Sequence, residues 1–159
     1  MNRVAGFDRY PAAFVGIGEN PNAGDVPWNY DVGGAAKLKR MCCGKELPWF
    51  NLYQVEPSPW DRQEARGVAT KFCLDLQEKN RTWTLLLLGV KVCSAFGIEK
   101  PEWLEWYRSP LWGPMIAVPH PSGLNRWWND AEHRRAATEL LSAIAIGLLP
   151  SAEHEPVTT

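Results

Sequence analysis

The chain reads as an α/β protein of three layers, α/β/α, in which a mainly parallel four-stranded sheet carries helices on both faces. Three observations predict this. Segments of strand character alternate with segments of helical periodicity, an order that gives parallel strands joined by crossover helices. Trp83 to Leu88 is an unbroken apolar run, as a central strand covered on both faces requires. Two polar loops, Gly16-Ile17-Gly18-Glu19-Asn20-Pro21-Asn22 and Val118-Pro119-His120-Pro121-Ser122-Gly123-Leu124-Asn125-Arg126, each grow out of an apolar run. Both therefore belong at a sheet edge where strands break into loops, the place where such folds hold ligands.

Ala12 to Ile17 is a small apolar run ending in Gly and predicts the first strand. Gly18 to Tyr30, rich in Gly, Asn, Pro and Asp, predicts a long loop. After Gly33-Gly34, the spacing of Ala35, Ala36, Leu38, Met41 and Cys42 fits a helix of about three turns. Leu47 to Val55 predicts the second strand, and the two prolines of Glu56-Pro57-Ser58-Pro59-Trp60 end regular pairing. Gln63 to Lys79 carries Val68, Phe72, Cys73, Leu74 and Leu76 and predicts a second amphipathic helix. Trp83 to Leu88 is the third strand, ended by Gly89, and Val90 to Phe96 is a short helix closed by Gly97. Glu102 to Trp112 reads as a Trp-rich connection, and Met115 to Val118 as the fourth strand. Asn129 or Asp130 caps a last helix running to about Leu148, with Ala137, Leu140, Leu141, Ile144 and Leu148 as its apolar stripe.

A chain of 159 residues with 45% hydrophobic content suits one core. One domain over residues 1–150 is expected, followed by a polar, disordered tail over 151–159. The net charge of −1 argues against attachment to nucleic acid through a broad basic surface, so any such contact must be local. No apolar stretch approaches the ~20 residues of a membrane span, and the N-terminus lacks a signal-peptide layout. A soluble, intracellular monomer with no membrane association is the expectation. Cys42, Cys43, Cys73 and Cys93 make no C-x-x-C spacing and are expected to be reduced thiols.

Several loop residues carry chemistry. His120 lies between two prolines, a backbone too constrained for helix or strand, so the loop itself aims the imidazole. Glu19 can accept a proton or orient water, whereas the Asn20 amide can only orient it. Asn20-Pro21 is also a common turn former. Asn51, at the end of the second strand, offers both a donor and an acceptor. Leu124 is an apolar side chain within a polar loop, and Trp127-Trp128 is either a stacking surface or a cap on the last helix.

Together the two loops resemble the signature motifs of the uracil-DNA glycosylase superfamily. The likeness is nearest to the mismatch-specific and single-strand-selective members and to those with a Gly-Glu-Ala-Pro-Gly motif. It follows the element order of most of the chain and is specific over the two loops and Asn51. The resemblance implies a monofunctional DNA glycosylase that flips uracil or a related damaged or modified pyrimidine out of DNA and hydrolyses its N-glycosidic bond.

It assigns His120 to the base carbonyl on which negative charge accumulates. The water-handling group is Glu19 by one branch of the family and Asn20 by the other, and the Asn-type agreement at both motifs favours Asn20. Asn51 pairs with the polar edge of the base, and Pro27-Trp28 matches a Pro-Phe step whose ring stacks on it. Asn22 stands where better-known members have Tyr or Gly, which loosens selectivity against thymine. Ser58, Ser122, Gly123, Asn125 and Arg126 fall at DNA-contacting positions, and Leu124 at the wedge that fills the gap left by a flipped nucleotide.

No Lys occupies the catalytic motif, so no Schiff-base lyase step is expected, and no metal. Some relatives hold an iron–sulfur cluster on four Cys, beginning with a pair ahead of the first motif. This chain has no Cys there, so no cofactor is expected. Two rival classes remain: a non-catalytic protein that binds a modified base or nucleic acid on the same fold, and an enzyme acting on a free nucleoside or nucleotide. The Glu19-Asn20 hybrid, Asn22 and the neutral charge favour the former.

Overall fold

A computed structural model of the protein describes residues 14–18, 33–45, 49–52, 60–78, 84–122, 125–146 and 157–158. The chain forms a mixed α/β fold. In order, the elements are β1 (Phe14–Gly18), α1 (Gly33–Met41), β2 (Trp49–Asn51), α2 (Arg62–Gln77), β3 (Thr84–Leu88), α3 (Gly89–Ala95), β4 (Trp106–Ser109), β5 (Gly113–Val118), a 3-10 turn (Arg126–Asn129), α4 (Ala131–Ala145) and β6 (Val157–Thr158). They build one sheet of strand order β2-β1-β3-β5-β4-β6.

Among the described residues the sheet has six strands rather than the expected four, and one antiparallel pairing makes it mixed. β1 pairs in parallel with β2 and β3, and β3 with β5, but β4 runs antiparallel to β5. The stretch read as a Trp-rich connection thus contains a strand. Tyr107 is buried beneath α2 and α3 while Trp106 packs toward α1 and α4, the alternation of a strand with a covered face on either side. A tight loop then returns the chain into β5. The Ser109 hydroxyl accepts from the N–H groups of Leu111 and Trp112 at 3.2 and 3.4 Å, and Gly113 takes the turn at φ +74°. β6, parallel to β4, lies within the tail expected to lack structure.

The core lies on both faces of the sheet. β3 is buried along its whole length, and its leucines alternate: Leu85 and Leu87 face Ala65, Ala69, Phe72 and Cys73 of α2, whereas Leu86 and Leu88 face Leu38 of α1 and Leu141 of α4. Each such leucine contributes about 1.5–3 kcal/mol by leaving water. Among the described side chains of α2, Leu74 departs from the expected stripe, falling on the outer side and 49% exposed.

Helix ends follow their residues. Gly97, at φ +87°, closes α3 while the Ile98 N–H reaches back to the Cys93 carbonyl at 2.9 Å. Asp130 caps α4, its Oδ1 accepting from the N–H groups of Glu132 and His133 at 2.8 and 3.4 Å.

Candidate functional site

The strand register lines up four chain ends. Gly18 sits opposite Asn51, Ile17 opposite Leu87, and Leu88 opposite Val118. Because these strands are parallel, the C-terminal ends at Gly18, Asn51, Leu88 and Val118 all lie at the same edge of the sheet. Three strand spacings of ~4.8 Å separate the Asn51 end from the Val118 end, roughly 14 Å in all. Asn51 is one of two buried polar residues among those described, at 4% exposure.

The loop after β5 is fixed from several sides. The His120 carbonyl accepts from the Trp128 indole N–H at 2.8 Å and from the Asn125 amide at 3.3 Å. The Asn125 N–H in turn donates to the Ser122 carbonyl at 3.1 Å, and its side-chain oxygen accepts from the Trp127 N–H at 3.0 Å, which starts the 3-10 turn. Pro121 is buried against the beginning of α1, so close that a Cβ on Gly34 would stand 2.8 Å from the proline ring and 3.2 Å from its carbonyl carbon. The half-buried His120 side chain lies over Gly89, where a Cβ would come within 3.1 Å of the His120 Cβ. Gly89 also holds φ +88°, a region other residues rarely enter.

One hydrogen bond sets the chemistry of the imidazole. His120 Nδ1 accepts from the Ser122 N–H at 3.2 Å, so Nδ1 carries no proton and the neutral ring carries it on Nε2.

Of the residues singled out in the sequence, His120, Ser122, Asn125 and Arg126 fall in this one loop and its 3-10 turn, with Arg126 exposed, and Asn51 lies at the same sheet edge. Glu19, Asn20, Asn22, Trp28, Ser58, Gly123 and Leu124 lie outside the described residues. Trp128 has a role the sequence left open. Its indole is buried and holds the His120 carbonyl, while Trp127 stacks on His133 with centroids 4.4 Å apart and planes 11° apart. Sequence reasoning passed over Gly34 and Gly89 as site residues. A glycine directly after a buried strand was the available signal for Gly89.

Cys42, Cys73 and Cys93 are buried, and burial pushes each thiol up to about 12. Cys73 and Cys93 belong to one core and Cys42 to the other, on opposite sides of the sheet. Among the described residues no group of three or more His, Cys, Asp or Glu side chains could hold a metal ion. No helix among them is long and apolar enough to cross a membrane. No protein-family model matches the chain, and no curated protein matches it either.

Proposed function

We propose that the protein is a monofunctional DNA glycosylase that removes uracil or a related modified pyrimidine flipped out of a DNA strand. The observation that carries this reading is the Ser122 N–H donated to His120 Nδ1, at the sheet edge where β2 ends in Asn51. A base leaving as an anion needs a donor aimed at its carbonyl oxygen, and a neutral imidazole protonated on Nε2 is such a donor. The parallel arrangement of β2, β1, β3 and β5, with helices on both faces, supports the three-layer glycosylase-like fold that the motifs suggest.

In this reading Asn51 pairs with the polar edge of the base and Trp28 stacks on its face. The N-glycosidic bond breaks with its electron pair going to the base, where His120 Nε2–H stabilises the charge. Water oriented by Asn20 adds to the anomeric carbon, and the proton it loses passes through solvent to the base anion, leaving an abasic site and a neutral free base. Ser58, Ser122 and the Gly123 amide hold phosphates, and Leu124 fills the vacated stack.

The test is abasic-site formation on a uracil-containing oligonucleotide, revealed by alkaline strand cleavage. Cleavage should occur with the wild-type protein, survive or increase in Asn20→Asp and fall strongly in Asn20→Ala. Full activity in Asn20→Ala together with its loss in Glu19→Gln would transfer the water to Glu19. No cleavage of any modified-pyrimidine strand by the wild type would refute the enzyme reading in favour of a binding protein.

A further inference from the structure

We infer that Lys37, Arg40 and Arg134 form a docking surface for the phosphate backbone of the nucleic-acid strand presented to the His120 loop. The inference deepens the reading above and rests on its nucleic-acid partner, though not on its catalysis.

Lys37 of α1 and Arg134 of α4 converge on Trp128. The Lys37 ammonium lies 4.4 Å from the centroid of the indole, and Arg134 Nη1 donates to the Trp128 carbonyl at 2.7 Å. The same indole donates to the His120 carbonyl, so the cations and the imidazole share one buried anchor. Arg40 lies one turn along α1 from Lys37, and it and Arg134 are exposed. The start of α1 is itself pressed against Pro121.

No described carboxylate makes an ion pair with these cations. Elsewhere Arg62 pairs with Glu99 at 2.7 Å, and Arg135 lies 3.7 Å from Glu132 and 3.4 Å from Glu139. Among the described residues, by contrast, Lys37, Arg40 and Arg134 form no ion pair with a carboxylate. Asp130, the acid that feels Arg134, has its Oδ1 committed to the α4 cap. Burial, and then the charges of Arg134 and Arg40, hold the Lys37 ammonium below the ordinary lysine value. Three cations brought together with no carboxylate paired to them repel one another, and a phosphodiester strand relieves that repulsion as they displace its condensed counterions. In a chain of net charge −1 this is the local basic surface that a nucleic-acid contact needs.

The experiment is fluorescence anisotropy of a labelled single-stranded oligonucleotide containing one uracil, titrated with the full chain over a range of salt concentrations. Arg40→Gln and Arg134→Gln should each weaken binding and make the plot of log affinity against log salt shallower by about 0.7 per charge removed. Arg134→Lys, which keeps the charge but not the fork, should recover the slope and so separates charge from the packing of Trp128. Arg135→Gln, on the same helix but paired with glutamates, should leave the slope unchanged. Unaltered slopes in Arg40→Gln and Arg134→Gln, an equal change in Arg135→Gln, or no salt-dependent binding by the wild type would each overturn the inference. Abasic-site formation scored on the same oligonucleotide keeps the two proposals apart. Salt-dependent binding that follows these residues without excision of uracil or of the other modified pyrimidines refutes the glycosylase and leaves the docking surface standing, and excision with unaltered slopes does the reverse.

Discussion

At the residue scale, the hydrogen bond from the Ser122 N–H to His120 Nδ1 separates a transition-state role from a binding role. A donor that meets charge only as the base departs adds little to ground-state affinity. His120→Ala should therefore lower the single-turnover excision rate by about 10²-fold or more while leaving the dissociation constant of the DNA nearly unchanged. Equal losses in rate and affinity would make His120 a binding residue. Gly89 supports the same ring from below. Placing Cβ at φ +88° costs about 1–2 kcal/mol, and the added methyl would press on His120 from 3.1 Å. Gly89→Ala should thus lower the unfolding free energy by roughly that amount and slow excision; a variant with reduced stability and full activity would show that His120 does not need this support. His120 was legible in the sequence because two prolines and a preceding apolar strand constrain it. Gly89 was legible only as a strand end, since its role depends on a side chain some thirty positions away.

Among the elements, α4 is the one whose start the sequence locates best. An acidic residue ahead of a helical stripe names its own function, and Asp130 accepts two backbone hydrogen bonds there. Those bonds, from Glu132 and His133, hold the Asp130 carboxyl below its usual range. The sign follows: the cap's contribution is full above the unfolded carboxyl value of about 3.9 and is lost as pH falls through the lower native value. Asp130→Ala should consequently unfold at a lower temperature than wild type at neutral pH, and the difference should shrink in acid. A gap that stays constant across that range would remove charge from the explanation. β4, like β6, was not legible in advance. Its Trp-Tyr-Arg-Ser sequence has strand propensity, but it follows irregular residues and precedes Pro110, so only the Ser109-to-Gly113 loop betrayed a hairpin.

Across the whole molecule, the two cores predict how its four thiols behave. Cys43 is exposed, while the three buried thiols are pushed up to about 12 and hold almost no thiolate near neutrality. A thiol-reactive chromogenic disulfide should therefore modify one cysteine quickly in the native protein and the other three only as it unfolds. More than one fast thiol would contradict the burial described. The general α/β order was readable because each segment carries its own period, while the strand count was not, because an edge hairpin is fixed by its neighbours rather than by its own pattern. The strand order β2-β1-β3-β5 has a temporal consequence. Each of its pairings joins segments separated by a crossover, so none can form as a local hairpin in the way β4 and β5 can, and these four strands should pair more slowly than that hairpin. The clamp of Pro121 on Gly34 joins the loop after β5 to the first helix. On a ribosome the His120 imidazole would reach its place over Gly89 only after β5 has emerged and docked, so the nascent chain holds this ring in no fixed position until the sheet is built.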